Sequence, residues 1–256
     1  LFPYAMKSTN IQKTLRIALN SLYLGDCIEN MQLLPDKSIN MVLCDLPYGT
    51  TQNSWDILIP FESLWKEWNR VCTGRVVLFG VQPFTTDVIM SNRQAFQYSM
   101  VWKKNVPTGM LQAKTRPMRY HEDILVFNKG PYNPIMQERQ GKGKACYNYT
   151  HYAGKSNHYS VDKIEKHYDP DKVLPGTVLE FNVVPNRSKK LHPTQKPVDL
   201  CKWLIKTYSN EQDVVLDCCM GSGTTGEAAL QTNRKFIGIE KDPVYFDISV
   251  KRLYGT

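Results

Sequence analysis

Short apolar runs alternate with segments of helical period along most of the chain. Residues 39–45 (INMVLCD) and 75–79 (RVVLF) are mainly apolar, which is typical of strands buried on both faces of a parallel sheet. Between them, residues 61–71 carry apolar side chains at helical spacing, so this part predicts a β-α-β unit. The same reasoning predicts further strands at 98–102, 123–127, 213–217 and 235–240, and further helices at 85–90, 197–208, 225–231 and 243–253. The chain therefore predicts an α/β fold, with a mostly parallel twisted sheet and helices on both faces.

The periodic pattern is lost from about residue 130 to residue 190, where Pro, Gly, Asn, Tyr and Lys dominate. A stretch of about 60 residues is too long for a plain loop in a compact domain. We therefore predict a main domain formed by residues 1–129 and 191–256, with residues 130–190 as an insertion of irregular structure.

The composition fits a globular protein that binds a polyanion. Hydrophobic residues make up 42% and charged residues 22% of the chain, and the formal net charge is +8. Cations of the middle segments are interleaved with Tyr, Asn and Gly, which favours nucleic acid as the partner. The candidate phosphate contacts are Arg116, Arg119, Arg187 and Lys190. No apolar run approaches the ~18 residues of a membrane span, so we expect no membrane partner.

Seven cysteines are scattered along the chain, mostly within apolar runs. Their odd number and irregular spacing are typical of reduced thiols in a cytoplasmic protein rather than of a disulfide framework. Cys218 and Cys219 are adjacent, and no C-x-x-C pair or histidine-rich partner follows them. We therefore expect no metal site.

A glycine-rich loop follows the predicted strand at 213–217. Residues 221–226 (GSGTTG) fit the pattern G-x-G-x-x-G and open a predicted helix, and Glu240 lies at the end of the next strand. Glycines there let the backbone approach a ligand closely, and a carboxylate at the next strand end can accept from ribose hydroxyls. The alternative is a tight strand-to-helix turn that binds nothing.

The surroundings of this loop favour one class of cofactor. Asp217 lies just before the loop, where a carboxylate suits an ammonium group and would repel a pyrophosphate. Only about 30 residues follow Gly226, too few for the long unit of a nicotinamide enzyme. An adenosine that carries an amino acid satisfies Asp217 and Glu240 together, so the predicted cofactor is S-adenosylmethionine.

Three motifs in order resemble those of the permuted β-type DNA amino-methyltransferases, which use S-adenosylmethionine to modify adenine N6 or cytosine N4. They are residues 45–50 (DLPYGT), 192–197 (HPTQKP) and 217–225 (DCCMGSGTT). Outside the insertion, the resemblance covers nearly the whole chain. It implies a circularly permuted, Rossmann-like methyltransferase fold, DNA as the partner and residues 130–190 as the target-recognition region. Members of this family are often dimers, so a homodimer is one candidate assembly.

The resemblance assigns the chemistry to the first motif, Asp45-Leu46-Pro47-Tyr48. An exocyclic amine on a heteroaromatic ring is a poor nucleophile because its lone pair is delocalised. Asp45 and the carbonyl of Leu46 would accept its two N–H groups, while Pro47 stiffens the loop and Tyr48 stacks on a base flipped out of the duplex. Transfer would be a direct in-line displacement that depends on positioning. The family most often has Pro at the position of Leu46, which puts the rigidity of this loop in doubt.

The remaining site residues also follow from the resemblance. Asp26 would meet the adenine of the cofactor, and the loop with Thr194 and Lys196 would cover its methionine part. The full predicted cofactor set is Asp26, Thr194, Lys196, Asp217, Cys218, Gly221, Ser222, Gly223, Thr224, Thr225 and Glu240. His121 and Glu122 could face the target base, but satisfied hairpin residues are the favoured interpretation of both.

Asp rather than Ser at the first motif position favours adenine N6, with cytosine N4 as the nearest alternative. One rival is a DNA-binding module of the same fold in which catalysis is impaired, a rival suggested by Leu46. A second is a methyltransferase that acts on RNA or on protein amides.

Overall fold

The computed structural model describes residues 20–49, 56–139, 171–185 and 190–255. The strands of these residues are β1 (Ser21–Leu24), β2 (Met41–Cys44), β3 (Val76–Gly80), β4 (Phe96–Thr108), β5 (Arg119–Phe127), β6 (Gln137–Glu138), β7 (Lys172–Val173), β8 (Val178–Glu180), β9 (Val214–Asp217) and β10 (Lys235–Glu240). The helices are α1 (Cys27–Gln32), α2 (Phe61–Val71), α3 (Phe84–Ser91), α4 (Val198–Tyr208), α5 (Thr224–Gln231) and α6 (Pro243–Tyr254). Within this part of the chain, no helix has the length and apolar character needed to cross a bilayer.

Eight strands form one sheet in the order β1-β10-β9-β2-β3-β5-β4-β8. The five strands from β1 to β3 are mutually parallel, β5 is antiparallel to β3, β4 is antiparallel to β5, and β8 is parallel to β4. The chain leaves β9 towards β10 on one side and leaves β2 towards β3 on the other. The carboxyl ends of β9 and β2 therefore lie side by side at a switch point, where ligands of open α/β sheets bind.

Alternate residues of the central strands pack on opposite faces of the sheet. Val42 of β2 and Leu78 of β3 belong to a buried cluster with side chains of α1, α2 and α3. Leu43 and Val77 belong to a second cluster with side chains of α4, α5 and α6. Helices therefore cover both faces, and the predicted α/β fold class is confirmed, whereas the circular permutation stays a prediction.

Several elements differ from their predictions. The pattern of apolar residues did not predict strand β1, and β4 and β5 continue beyond the predicted 98–102 and 123–127 into polar sequence. They do so because the two strands pair with each other as a hairpin, so their outer parts need no apolar face. Strand β8 lies inside the stretch for which we predicted irregular structure, and it extends the sheet by pairing with β4.

The chain separates into two compact units, one of residues 1–133 and 177–256 and one of residues 134–176. In the described part of the second unit, β6 and β7 form a two-stranded antiparallel pair. The N–H of Arg139 continues the pair by donating to the carbonyl of Asp171 at 2.7 Å. The function predicted for residues 130–190 stays a prediction.

The third glycine of the predicted loop is needed for packing of α5. A Cβ atom on Gly226 would lie 2.7 Å from the ring of Phe236 and 2.8 Å from Leu253 Cδ1. Since Phe236 is buried in β10, Gly226→Ala is expected to lower the free energy of unfolding by about 1–3 kcal/mol. Urea denaturation measures the change. Gly176→Ala is the control, because nothing lies within 4 Å of a Cβ there, and an unchanged midpoint for Gly226→Ala would refute the packing role.

Candidate active site

A cleft of about 520 Å³ opens at the carboxyl edge of the parallel strands. The segments that follow β1, β10, β9 and β2 form its walls, together with residues of the loop that precedes α4. Most of the residues predicted to act on cofactor and base line this one cleft. They are Asp26, Asp45, Leu46, Pro47, Tyr48, Thr194, Lys196, Asp217, Cys218, Gly221, Ser222, Thr224, Thr225 and Glu240.

The glycine loop joins β9 to α5 in a conformation that requires glycine at two positions. Gly221 and Gly223 have φ values of 51° and 78°, in the left-handed region that side chains disfavour. The N–H of Gly221 donates to Glu240 Oε2 at 2.8 Å, and the N–H of Asp242 donates to Glu240 Oε1 at 2.8 Å. Glu240 thus fastens the loop to the end of β10. Gly223 does not line the cleft, so its visible role is the turn itself.

Helix α6 holds the next residues of the loop through Arg252. Its Nη1 donates to the carbonyl of Ser222 at 3.0 Å and to Thr224 Oγ1 at 2.9 Å. Its Nε donates to Glu227 Oε2 at 2.6 Å. Ser222 and Thr224 are buried, so these contacts hold the loop against α6.

Asp217 ends β9 at the floor of the cleft and is buried. Its Oδ1 accepts from the N–H of Cys219 at 3.1 Å. Burial raises the pKa of Asp217 to about 6, because the carboxylate loses hydration that its hydrogen bonds restore only in part. A cationic ligand would supply the missing stabilisation.

The motif at 45–48 follows β2 and presents a carboxylate to the same cleft. The hydroxyl of Tyr48 donates to Asp45 Oδ1 at 2.7 Å, and the Tyr48 ring packs against Phe84 with the centroids 4.7 Å apart. The side chain of Leu46 is buried in the core beneath α2 and α3. Leu46 therefore anchors the loop through its side chain, and Tyr48 orients the Asp45 carboxylate.

Four charged side chains form a continuous network beside this motif. Lys196 Nζ contacts Asp45 Oδ2 and lies 3.3 Å from Glu122 Oε2. Lys104 Nζ contacts Glu122 Oε1. Lys196 and Lys104 are both more than nine-tenths buried, whereas the side chains of Asp45 and Glu122 are 23% and 14% exposed at the cleft.

The electrostatics of this network favour the charged forms of Glu122 and Lys196, whereas burial raises the pKa of Asp45 despite its contact with Lys196. Burial opposes the charge of Glu122, but Lys196 and Lys104 outweigh it and hold the pKa of Glu122 below its ordinary value. Burial likewise opposes the charge of Lys196, yet Asp45 and Glu122 raise its pKa above the ordinary range. The cation of Lys196 therefore persists at neutral pH between two carboxylates.

The network changes the interpretation of two residues. Lys196 was predicted to cover the methionine part of the cofactor, and the structure places its ammonium on Asp45. Glu122 was interpreted as a satisfied hairpin residue; it does pair with Lys104 within the β4–β5 hairpin, and it also lines the cleft. The sequence did contain a signal for a site role of Glu122, because this acid directly precedes the predicted strand at 123–127. No sequence signal indicated that Lys104 would join the network.

Two predicted cofactor residues have structural partners of their own. Asp26 caps α1, with Oδ1 accepting from the N–H groups of Ile28 at 2.9 Å and Glu29 at 3.3 Å. The hydroxyl of Thr194 lies 3.0 Å from Nδ1 of His192, whose ring packs edge-on against Tyr245. Both residues still line the cleft.

The predicted phosphate contacts are distributed over different places. Arg116 and Arg119 line a second cavity of about 340 Å³ at the base of the β4–β5 hairpin. Burial and the charges of Lys104 and Lys196 lower the pKa of Lys190, which places it beside the charged network. Arg187 lies outside the described residues.

The thiols of Cys44, Cys218 and Cys219 lie within 4.8 Å of one another, close enough to share a metal ion. Adjacent parallel strands β2 and β9 bring them together, which the sequence spacing of Cys218 and Cys219 did not indicate. The expectation that the chain binds no metal stays a prediction.

Residues 39–251 match the sequence model of a family described as DNA methylase, of the N6 and N4 type. The Type II methyltransferase M.HinfI of Haemophilus influenzae is 27% identical over 263 positions, covering 92% of this chain and 68% of that protein. The Type II methyltransferase M1.MboII of Moraxella bovis is 27% identical over 250 positions, covering 90% of this chain and 94% of that protein.

Solved structures share the fold. M1.HpyAVI, solved as a complex with SAM, superposes with a TM-score of 0.59 at 24% identity, over 91% of this chain and 98% of that one. A PvuII DNA methyltransferase described as cytosine-N4-specific superposes with a TM-score of 0.66 at 18% identity, over 92% of this chain and 86% of that one. At these identities the likeness concerns the arrangement of strands and helices.

Proposed function

The chain belongs to the N6/N4 family of DNA methylases, and on this basis we propose that it transfers a methyl group from S-adenosylmethionine to N6 of adenine in DNA. One observation carries the proposal. Asp45, oriented by Tyr48 and Lys196, faces the same cleft as the glycine loop and Glu240. A target amine bound at Asp45 and a methyl donor bound at the glycine loop would therefore lie in the same cleft, at the carboxyl ends of the parallel strands.

The residues of the cleft fit the proposed donor. Its volume of about 520 Å³ is within the usual range for small-molecule sites, roughly 300–1,000 Å³. Among the described residues no cation pairs with Asp217, which would suit the ammonium of the amino acid, and Glu240 can accept from ribose hydroxyls with its remaining lone pairs. When bound, the donor supplies a methyl group activated by a sulfonium.

The acceptor side fits an exocyclic amine. The Asp45 carboxylate and the carbonyl of Leu46 would accept its two N–H groups, which would free the nitrogen lone pair for the methyl carbon. The N–CH₃ bond would form as the S–CH₃ bond breaks and leaves a neutral thioether. The amine would lose a proton, and Asp45 is the proposed acceptor. Burial raises the pKa of Asp45, and the contacts with Lys196 and Tyr48 oppose that rise and so favour the ionised carboxylate. The proposed role of Tyr48 extends from stacking to orienting that carboxylate.

DNA as the substrate is supported by the family and by the cations around the opening. We propose Arg116, Arg119, Arg187 and Lys190 as phosphate contacts and residues 130–190 as the target-recognition region. Adenine rather than cytosine is supported by Asp at the first position of the motif, through the resemblance described above.

Methylation of unmodified DNA tests the proposal. The purified chain and methyl-labelled S-adenosylmethionine are incubated in separate reactions with DNA that lacks methylated bases, with RNA and with protein. The nucleosides digested from the DNA are separated and identified by mass spectrometry. We expect N6-methyladenine. N4-methylcytosine would overturn the choice of base, donor binding without any methylated base would favour the impaired DNA-binding module, and labelled RNA or protein would favour the remaining rival.

Donor affinity is expected to depend on pH through Asp217. Only the ionised carboxylate pairs with an ammonium, so affinity should be full well above pH 6 and fall about tenfold per pH unit below it. Calorimetric titration with S-adenosylmethionine between about pH 5 and pH 8 measures this. Asp217→Asn is the matched control, with weaker binding and no such slope, and a flat profile in the unaltered chain would refute the role of Asp217.

A further inference from the structure

We propose that the tip of the β4–β5 hairpin is a wedge that enters the DNA stack beside the target base, with Leu111 and Met110 as the inserted side chains. This inference rests on the proposed function, because it concerns how the base leaves the duplex. It adds a contact that neither the motifs nor the cations provide.

The tip exposes apolar side chains together. Leu111 is fully exposed, and Met110 and Val106 are 72% and 51% exposed. All residues from 108 to 117 are exposed, so the tip has no core beneath it in the described structure. A single exposed apolar residue is ordinary, but adjacent ones at the end of a projection indicate a contact surface.

The tip is nevertheless a formed turn. Gly109 has a φ of 93°, and it is followed by a turn of 3₁₀-helix at Met110–Gln112. The N–H of Gln112 donates to the carbonyl of Gly109 at 3.0 Å, and the N–H of Arg116 donates to the carbonyl of Gln112 at 3.0 Å. Because the backbone is held in this way, the two side chains are presented with little loss of chain entropy on binding.

The hairpin begins at the opening through which a base must enter. Glu122 of β5 lines both the cleft and the second cavity, so the two adjoin each other. Strand β5 begins at Arg119, opposite Thr108 of β4. Arg119 precedes Glu122 by three residues, which corresponds to about 10 Å of extended strand. The tip therefore projects past the edge of the sheet next to the site of Asp45.

The charges around the tip identify duplex DNA as its occupant. Lys114, Arg116 and Arg119 follow the apolar pair within eight residues. Phosphates would meet these cations, and the faces of stacked bases would meet the apolar side chains. Proteins that unstack DNA combine the same two features, and opening one step costs a few kcal/mol. By filling the space that the flipped base leaves, the wedge would offset that cost.

The test compares a paired with a mispaired target base in the full chain. The substrate is a duplex that carries the chain's own methylation site, mapped beforehand by single-molecule sequencing of DNA from cells that express it. For the double variant Met110→Ala/Leu111→Ala, we expect single-turnover methylation of the paired duplex to fall about tenfold or more. On a duplex whose target base is mispaired, the rate should stay within about threefold, because that base is already loosened.

The control is Leu33→Ala/Met90→Ala, which removes two exposed apolar side chains that line neither cavity. We expect it to match the unaltered chain on both duplexes. Equal losses on both duplexes, or no loss on the paired one, would overturn the wedge. A tip that serves self-association instead would change the sedimentation mass of the variant without a selective loss on paired DNA, which also overturns it. If no methylated site is found, both the proposed function and the wedge are refuted. If the double variant methylates DNA without a larger loss on the paired duplex than on the mispaired one, only the wedge is refuted.

Discussion

Replacing Asp45 with asparagine is expected to lower the rate of methyl transfer by about a hundredfold to ten-thousandfold. The amide keeps the size of the carboxylate and can still accept from Tyr48, but it cannot receive a proton and is a weaker acceptor for the amine. Donor affinity should change little, because Asp217 and Glu240, the two carboxylates proposed to bind the donor, lie on β9 and β10. Single-turnover transfer of labelled methyl groups and calorimetric titration of the donor separate the two effects.

Asp36→Asn is the control for this variant. Asp36 is exposed, pairs with Arg70 and does not line the cleft, so its loss should leave transfer unchanged. Full transfer by the Asp45 variant would refute the proposed catalytic role, whereas a loss of donor binding equal to the loss of rate would assign Asp45 to the donor.

Replacing Lys196 with methionine is expected to reduce the free energy of unfolding by about 3–5 kcal/mol. The change removes the cation between Asp45 and Glu122, and Lys104 remains to pair with Glu122 alone. Two carboxylates would then be held together with only one counter-charge. The deficit should shrink as the pH falls and one carboxylate takes up a proton, so urea denaturation is measured at about pH 7 and about pH 5.

Lys241→Met is the matched control for the loss of an ion pair. Its ammonium is 3.8 Å from Asp26 Oδ2 on an exposed surface, where such a pair contributes less than about 1 kcal/mol. If both variants unfold at the same urea concentration, the buried network has no stabilising role. Adding Asp45→Asn to Lys196→Met should restore part of the loss, because the carboxylate left without a cation is then removed while Lys104 still pairs with Glu122.

Four of the five parallel strands and three acids at their carboxyl edge could be predicted from the sequence. Strands buried on both faces are continuous apolar runs, so β2, β3, β9 and β10 stand out, and Asp45, Asp217 and Glu240 follow from their ends. Parallel strands bring their carboxyl ends to one edge, which is enough to place these acids together.

The antiparallel half could not be predicted in the same detail. In β8 only Leu179 is buried, which is too short a signal to separate a strand from a loop. The pairing of Lys104 with Glu122 depends on a register that shifts between Lys103 and Thr108, and no sequence pattern marks that shift. The contact of Lys196 with Asp45 joins residues 151 positions apart and depends on the same assembled edge.

Arg252 has a consequence for how the last helix behaves. Its side chain joins α6 to Ser222 and Thr224, which line the cleft. Local unfolding of α6 would break these hydrogen bonds, and so would displacement of the loop. Local opening of α6 and occupancy of the cleft are then thermodynamically linked, and whatever binds the loop also suppresses fraying of the helix. In this sense the ligand is a folding partner of the carboxyl-terminal helix.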